Sequence, residues 1–295
     1  MTDTTKGATS DDNRRDDEAL KEAPELLELA QEVATQAGRL LRARLSEVAG
    51  GRLLSRGASA KSSPTDLVTD VDRSSESLIV DSLLHARPND GIHGEEGSSR
   101  TGSSGVTWVI DPLDGTINYL YGIEIFAVSI AASYRGRSVA GVVHNPLAGE
   151  MFTAFEGGGA ELNGSELRLV QTGRPLAESL VGTGFSYGSK SRAAQAELLR
   201  SVLPKVRDIR RAGSAALDLC SVACGRLDAY FEAELKPWDR AAGELIVREA
   251  GGSVVTLDSL RGHSATVVAA APGLKADLVN LLERAAASSE PSPGW

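Results

Sequence analysis

The chain has 295 residues, 41% of them hydrophobic, which is enough for one large domain or two smaller ones with a buried core. Its formal net charge of -9 disfavours nucleic acid and anionic membranes as partners. A phosphate-bearing ligand would therefore have to be bound by a local group such as a metal ion or a helix N-terminus. No stretch has the length and purity of a membrane span, and the first residues lack the apolar centre of a signal peptide, so we expect a cytoplasmic protein.

The first third of the chain predicts a tail and two helices. Residues 1–23 are polar and charged, and we expect a disordered N-terminal tail there. Pro24 then opens a helix whose apolar positions trace one face, and a second amphipathic helix is expected from about Asp72 to His85. The Gly- and Ser-rich residues 97–105 predict a flexible connection.

The pattern changes after the segment DPLDGT at 111–116. Short β-prone runs separated by Arg-Gly and Pro-Leu-Ala-Gly turns predict an antiparallel meander, and further along strand and helix candidates alternate. This order predicts layered α and β structure in a single domain, 24–288. We expect that domain to have two lobes, about 24–178 and about 179–288, with a short tail at 289–295.

Several carboxylates lie near the ends of predicted strands and helices. Any single one could be a solvated loop residue or a helix cap, and this applies to Asp72 and Asp239 in particular, since each stands at the start of a predicted helix. The candidates are Asp66, Asp70, Asp72, Glu95, Glu96, Asp111, Asp114 and Asp239.

The segment DPLDGT is harder to explain as a loop or a cap. Strand residues three apart face opposite sides, so Asp111 and Asp114 converge only if the chain turns at the intervening Pro-Leu. Such a turn would leave the Leu113 carbonyl unpaired and available as a ligand. Gly115 and Thr116 would supply backbone N–H groups at the start of a helix, where an anion can bind. Together these groups predict a site for a hard divalent cation and a phosphate.

Three other motifs fit this sequence less well. An EF-hand loop counted from Asp111 would have leucine at its third position and glycine at its fifth and twelfth. Haloacid-dehalogenase phosphatases begin with D-x-D-G-T, whereas the spacing here is D-x-x-D-G-T and lies far from the start of the chain. The segment GFSYG at 184–188 matches the G-x-S-x-G of serine hydrolases, with His263 as a candidate base, but it leaves the carboxylates unexplained.

The remaining reactive side chains give weaker signals. The four histidines are scattered without metal-ligand spacing, so zinc is not indicated. Cys220 and Cys224 are four residues apart in an apolar run, which predicts core thiols rather than a redox or metal pair. Lys61 is either a surface lysine or, because of the neighbouring carboxylates, a residue that meets a phosphate.

Three motifs, in this order, resemble those of the magnesium-dependent, lithium-sensitive inositol monophosphatases. They are GEE at 94–96, W-x-I-D-P-L-D-G-T-x-N at 108–118 and WDRAAG at 238–243. The likeness runs from about residue 25 to 285 and extends to bacterial inositol-1-monophosphatases of the SuhB type. It implies an α+β fold, the layered αβαβα sandwich of inositol monophosphatase-like sugar phosphatases, a homodimer, and Mg²⁺-dependent hydrolysis of inositol phosphates.

The resemblance also implies roles for individual residues. Thr116 and Glu95 would orient the attacking water, and Asp72 would reach a further, weaker magnesium ion through water. The implied ligands of two or three Mg²⁺ ions are Glu95, Asp111, the Leu113 carbonyl, Asp114 and Asp239. The implied substrate-binding residues are Glu95, Leu113, Asp114, Gly115, Thr116, Gly213, Ser214, Ala215, Glu232 and Asp239.

The identity of the substrate is the open question. Glu232 suits hydroxyl recognition on a sugar-like ring, and the sequence shows no basic cluster for a second phosphate, which favours a phosphorylated polyol such as inositol-1-phosphate. Lys236 places a cation where related enzymes often have a neutral residue, which leaves the substrate preference open. The alternatives are fructose-1,6-bisphosphate, histidinol phosphate, 3'-phosphoadenosine-5'-phosphate, or a non-catalytic role in binding a partner protein.

Overall fold

The computed structural model of the chain describes residues 10–48, 59–60, 67–68, 70–171, 173–258, 260 and 265–287. The helices of these residues are α1 (Ser10–Val48), α2 (Asp70–Ala86), α3 (Thr116–Tyr121), α4 (Ser189–Val202), α5 (Ala215–Ala223), α6 (Pro237–Glu249) and α7 (Lys275–Ala287). The strands are β1 (Ser59–Ala60), β2 (Leu67–Val68), β3 (Gly91–Gly94), β4 (Ser99–Arg100), β5 (Val106–Asp114), β6 (Ala127–Tyr134), β7 (Arg137–Asn145), β8 (Glu150–Phe155), β9 (Gly159–Leu162), β10 (Ser165–Leu167), β11 (Leu180–Thr183), β12 (Asp208–Arg210), β13 (Ala229–Ala233), β14 (Ser253–Leu257) and β15 (Thr266–Ala270).

The larger sheet has eight strands in the order β10-β9-β8-β7-β6-β5-β3-β4. Strands β6, β7 and β8 form the predicted antiparallel meander, which is therefore confirmed. The β6–β7 hairpin turns at Arg135 and Gly136, whose φ angles of 51° and 85° are the left-handed pair that a type I′ turn requires. Strand β3 lies parallel to β5, so the ends of both strands meet at one edge of the sheet.

Helices α1 and α2 cover one face of the larger sheet. Trp108 and Ile110 of β5 pack with Leu26 of α1 and Ile79 of α2 in one apolar cluster. Val109, between them in the sequence, belongs to a second cluster on the opposite face. This follows from the alternation of side chains along a strand, and it means that β5 is buried on both sides.

Helices α5 and α6 lie between the two sheets. Leu219 of α5 and Ile246 of α6 pack against Val109 of the larger sheet and against Tyr230 and Ala269 of the smaller one. The smaller sheet has five strands in the order β12-β11-β13-β15-β14. The second half of the chain therefore supplies both the smaller sheet and the helices that join it to the larger one.

Helices α4 and α7 cover the outer face of the smaller sheet. Leu198 of α4 and Leu278 of α7 pack against Val181 and Val268 of that sheet. The layers thus alternate as α1 and α2, larger sheet, α5 and α6, smaller sheet, α4 and α7, and the predicted αβαβα sandwich is confirmed. None of the helices in the described ranges is long and apolar enough to cross a bilayer.

Local elements differ from the sequence-based expectation in three places. Helix α1 begins at Ser10 and not at Pro24, which lies inside the helix, and the residues directly before the proline, 18–23, are good helix formers. Ser99–Arg100 form an edge strand inside the expected flexible connection. Strand β12 is only three residues long, which is too short for the alternation of a β-strand to be recognised in the sequence. The disordered N-terminal tail expected at 1–23 is therefore wrong for residues 10–23, which are helical. Residues 1–9 and the expected tail at 289–295 lie outside the described residues, and the two-lobe division stays a prediction.

Candidate active site

Asp111 and Asp114 lie at a β-bulge where β5 pairs with β6. Asp111 is opposite Ser129 and Asp114 is opposite Ala127, so three steps along β5 match two steps along β6. Because two steps along a strand return to the same face, the bulge points both aspartates to the same side of the sheet. The predicted turn is wrong, since the strand continues through a bulge, but the predicted convergence holds and both side chains line one cleft.

The carbonyl of Leu113 is not unpaired as the sequence predicted. The hydroxyl of Thr116, which begins α3, lies 3.1 Å from this carbonyl and 2.8 Å from Asp72 Oδ1, so the carbonyl shares the one hydroxyl proton with that carboxylate. The Leu113 N–H donates to Asp111 Oδ1 at 3.0 Å. A carbonyl oxygen has a second lone pair, so it can still bind a cation. Gly115 has φ of 96°, and a Cβ there would lie 2.9 Å from the Ile125 carbonyl, so only glycine fits.

Asp72 reaches the site through Thr116. The Thr116 hydroxyl lies 2.8 Å from Asp72 Oδ1, and Thr116 lines the cleft. Asp72 itself is 0% exposed and does not line the cleft. Both neighbours of the hydroxyl, this carboxylate and the Leu113 carbonyl, are acceptors, so the hydroxyl proton is directed inward and its lone pairs are left for the cleft.

Glu95 and Asp239 enter the same cleft from two other elements. Glu95 follows β3, and its N–H donates to the Ile110 carbonyl at 3.1 Å, which places it beside Asp111. Asp239 is in the first turn of α6, and its Oδ2 accepts the Lys236 N–H at 2.6 Å. These four carboxylates thus enter the cleft of about 370 Å³ from three separate parts of the chain.

These carboxylates are held in an environment that disfavours their charge. Burial, followed by the negative charge of Glu95, raises the pKa of Asp111 well above its ordinary value. Burial and the charge of Asp114 do the same to the pKa of Asp239. Burial raises the pKa of Asp114 to about 6, although a hydrogen bond from the Ser214 hydroxyl opposes the shift. A bound cation would relieve all three of these penalties at once.

The donor set fits a hard divalent cation. Carboxylate and carbonyl oxygens are the ligands that Mg²⁺ takes, and in the described part of the chain Asp111, Asp114 and Asp239 form no ion pair with a basic side chain. No three acidic, histidine or cysteine side chains of that part already stand together as a complete ligand group. Mg²⁺ can bind through one or two carboxylates with several waters, so it does not require such a group.

Ser214 belongs to the packing around Asp114. Its hydroxyl donates to Asp114 Oδ2 at 2.6 Å and, as the N-cap of α5, accepts the Leu217 N–H at 3.3 Å. Ser214 is 1% exposed and does not line the cleft, whereas Gly213 and Ala215 do. In this geometry Ser214 orients Asp114, and of these three predicted substrate-binding residues only Gly213 and Ala215 line the cleft.

Glu232 also lines the cleft. Its carboxylate accepts the Tyr230 hydroxyl, and burial raises its pKa to about 7, against the opposing charge of Arg211. A Cβ at Gly184 would lie 1.9 Å from Glu232 Oε2. The glycine of the GTGF segment therefore makes room for this carboxylate, which can accept hydrogen bonds from ligand hydroxyls when it is ionised.

Three further charged residues line the cleft, namely Arg211, Glu234 and Lys236. The sequence motifs did not assign Arg211 or Glu234 to the site, whereas Lys236 was already expected to bear on the substrate preference. Asp218, one turn into α5, is 3% exposed, and burial followed by the charge of Glu232 raises its pKa to about 8. The segment RRAGSAALDLC, which contains Arg211 and Asp218, was the available signal, but an isolated charge in a loop or helix does not show what it faces.

The alternative motifs find no support in the geometry. The Ser186 hydroxyl accepts a hydrogen bond from the Gln195 amide at 3.0 Å, and an amide cannot act as the base that a serine nucleophile needs. Cys220 is buried, Cys224 is partly buried, and both are free thiols, as core packing predicts. The candidates Lys61, Asp66 and His263 lie outside the described residues.

Comparison with known proteins gives one consistent family. The family model described as "Inositol monophosphatase family" matches residues 22–288. An "Inositol-1-monophosphatase" of Mycobacterium leprae is 46% identical over 269 residues, which are 87% of this chain and 92% of that protein. A "Nus factor SuhB" of Pasteurella multocida is 43% identical over 75% of this chain and 84% of that protein. The crystal structure of the suppressor protein suhB from Bartonella henselae superposes with a TM-score of 0.79 at 36% identity, covering 90% of this chain and 100% of that one.

Proposed function

This chain belongs to the inositol monophosphatase family and is a phosphatase, and on that premise we propose that it hydrolyses inositol-1-phosphate in the presence of Mg²⁺. The observation that carries the proposal is the bulge in β5, which turns Asp111 and Asp114 toward the cleft that Glu95 and Asp239 also line. Carboxylates that repel one another in this way can bind cations, and the bound cations can then attract and neutralise a phosphate dianion.

The proposed Mg²⁺ ligands are side chains and one carbonyl of the cleft, completed by water and substrate. Two or three bound Mg²⁺ ions would supply charge neutralisation of the phosphate, acidification of the attacking water and stabilisation of the leaving oxygen. The chain supplies the charge and the geometry, because Asp114 is fixed by Ser214 and Asp239 by the Lys236 N–H. The proposed ligands are Glu95, Asp111, the Leu113 carbonyl, Asp114 and Asp239.

Thr116 and Glu95 are proposed to orient the attacking water. Since the Thr116 hydroxyl donates inward, to Asp72 or to the Leu113 carbonyl, it can only accept from a water in the cleft. That water then keeps a lone pair free for phosphorus, and Glu95 can take its proton. The P–O bond to the alcohol breaks as the new P–O bond forms, the leaving alkoxide takes a proton from solvent water while Glu95 returns its proton to solvent, and the products are the free polyol and inorganic phosphate.

The neutral and acidic lining of the cleft favours a polyol as the leaving group. Glu232 is an acceptor for ring hydroxyls, and the small residues Gly213 and Ala215 line the same cleft. Arg211 lies close enough to Glu232 and Asp218 for its charge to oppose the rise in their pKa values. Arg211 and Lys236 are the two basic residues that line the cleft in the described part of the chain, and they stand among six acidic ones, which disfavours a second phosphate.

The test is phosphate release from a substrate panel in EDTA and in Mg²⁺. We expect the highest kcat/KM with inositol-1-phosphate, and no turnover of any substrate in EDTA. A higher kcat/KM with fructose-1,6-bisphosphate, histidinol phosphate or 3'-phosphoadenosine-5'-phosphate would show that inositol-1-phosphate is not the preferred substrate. Release that is equally fast in EDTA would remove the metal from the mechanism.

A role exerted through a binding partner is the second candidate function. It is favoured by one observation, the name "Nus factor SuhB" of a relative that is 43% identical. The two functions are separable, because a variant without catalytic carboxylates would keep a partner-dependent role and lose phosphate release. We also propose a homodimer, which light scattering of the purified protein would test.

A further inference from the structure

Glu76 is a buried carboxylate that the proposed chemistry does not use. It lies on α2 with 3% of its surface exposed, and within the described ranges it forms no ion pair. Its Oε2 accepts the Glu96 N–H at 2.7 Å and its Oε1 accepts the Ser98 N–H at 2.9 Å. A buried charge is stabilised only if hydrogen bonds replace its hydration, so these two bonds are what hold the carboxylate in place.

The two N–H groups belong to the turn that carries Glu95. That turn leaves β3 at Gly94, and a Cβ at Gly94 would lie 2.5 Å from Glu76 Oε2. The carboxylate therefore fills the space beneath the turn, and a side chain at residue 94 would compete with it. On the other side, the Glu95 N–H is bound to the Ile110 carbonyl of β5, so the turn is fixed from two directions.

The same face of α2 also holds the bulge in β5. Ser75 donates its hydroxyl to the Pro112 carbonyl at 3.0 Å, and Asp72 accepts from the hydroxyl of Thr116 at 2.8 Å. With Glu76, these residues stand at positions i, i+3 and i+4, which lie on one side of a helix. One rigid helix thus sets the position of the Glu95 turn relative to the aspartates of the bulge.

We propose that Glu76 is a positioning residue for the cation site. By accepting the two N–H groups that follow Glu95, it fixes that carboxylate opposite the bulge in β5. This inference rests on the proposed function, because the position of Glu95 matters for binding only if it holds a cation. Residues that orient metal ligands in this way typically change metal affinity about 10–100-fold when they are replaced.

The test is the Glu76→Gln variant of the full chain. Glutamine has the same shape, but its amide nitrogen would face one of the two N–H donors, so one hydrogen bond and the charge are lost. Mg²⁺ binding to the metal-free protein is measured by isothermal titration calorimetry, and the KM for inositol-1-phosphate is measured at saturating Mg²⁺. We expect the Kd for Mg²⁺ to rise about 10–100-fold, with the KM changed less than about threefold.

Asp81→Asn is the matched control. Asp81 is exposed on the same helix, and its substitution removes the same charge without touching the turn, so it should bind Mg²⁺ like the wild type. If Glu76→Gln does not fold, as judged by circular dichroism, Glu76→Asp is measured instead, since it keeps the charge on a shorter side chain. A raised Kd for Mg²⁺ in Glu76→Asp would support the positioning role, and a wild-type Kd would overturn it.

The outcomes separate the inference from the proposed function. Wild-type Mg²⁺ affinity in the folded Glu76 variant would overturn the positioning role, while the phosphatase proposal would stand. A wild-type protein that binds no Mg²⁺ and releases no phosphate would overturn the proposed function and this inference together. Weaker binding in the Glu76 variant, with the Asp81 control unchanged, would support the inference.

Discussion

Asp111 is nearly inaccessible to water, yet its carboxylate lies beside three other acidic side chains. Its pKa is raised well above the ordinary value by burial and then by the charges of Glu95, Asp114 and Asp239. In the metal-free protein these groups destabilise the folded state at neutral pH, because their ionised forms are poorly solvated and repel each other. A residue retained at such a cost is better explained by a ligand than by the packing of the fold.

Asp111→Asn is expected to reduce activity and raise stability together. Replacing a residue that hydrogen-bonds to a metal ligand typically lowers metal affinity or activity about 10–100-fold. Loss of a ligand carboxylate itself should therefore lower kcat/KM at least about 100-fold. The melting temperature in EDTA should rise, because a repelled buried charge is removed. Phosphate-release kinetics and differential scanning calorimetry check both parts, with exposed Asp277→Asn as the control. Near wild-type kcat/KM in Asp111→Asn would remove this residue from the site.

At the scale of elements, the site depends on close approaches between strand, turn and helix. Helix α2 reaches the bulge in β5 and the turn after β3, and α5 reaches Asp114 through Ser214 and the Ala216 N–H. On the smaller sheet, the backbone after β11 approaches the Glu232 carboxylate so closely that Gly184 has no room for a side chain. These contacts couple the elements that carry the cleft.

Gly184→Ala is expected to weaken substrate binding selectively. A methyl group at residue 184 would meet Glu232 Oε2 at 1.9 Å, so the carboxylate must move away from its position in the cleft. We expect the KM for inositol-1-phosphate to rise about tenfold, the effect of losing roughly 1.4 kcal/mol of binding, while Mg²⁺ affinity stays unchanged.

Gly188→Ala is the control for this prediction. A Cβ at Gly188 would come no closer than 3.7 Å to the Ser191 hydroxyl, so alanine fits there without displacing a neighbour. An unchanged KM in Gly184→Ala, with the protein folded, would mean that Glu232 does not contact the substrate. A parallel loss of Mg²⁺ affinity would show instead that the substitution disturbs the whole cleft.

At the scale of the whole molecule, a carboxyl group buried next to the acidic site affects the stability of the fold. Burial and the nearby charges of Glu232 and Asp114 raise the pKa of Asp218 from 3.8 to about 8. Because the folded pKa is above the unfolded one, the folded state binds more protons between these values. The contribution of Asp218 to stability is therefore fully present below about pH 4 and is lost as the pH rises through about 8.

Asp218→Asn should flatten the pH dependence of stability. The free energy of unfolding of the metal-free wild type should fall with rising pH more steeply than that of the variant, by up to about 1.4 kcal/mol per pH unit between pH 5 and pH 8. Urea denaturation in EDTA at several pH values measures the two slopes. Parallel slopes would show that Asp218 is ionised in the folded protein across this range.

The sequence by itself determined the acidic motifs and the layered α and β structure, while the αβαβα arrangement was implied by the resemblance of those motifs to the inositol monophosphatases. Strand alternation, helical periodicity and the order of elements are local properties, so layered structure could be predicted without knowing which elements touch. The identity of the carboxylates in DPLDGT and WDRAAG is likewise local, and their convergence was predicted, although through a turn.

Only the tertiary structure decided how the site is held together. The bulge in β5 depends on pairing with β6, and the hydrogen bond from Thr116 to the Leu113 carbonyl depends on where α3 begins. The contacts of Glu76 with the Glu95 turn, and the placement of Arg211 and Lys236 in one cleft, join residues 20 or more positions apart. The sequence pattern reports which face a residue occupies, whereas the partner on that face is set by the packing of distant elements.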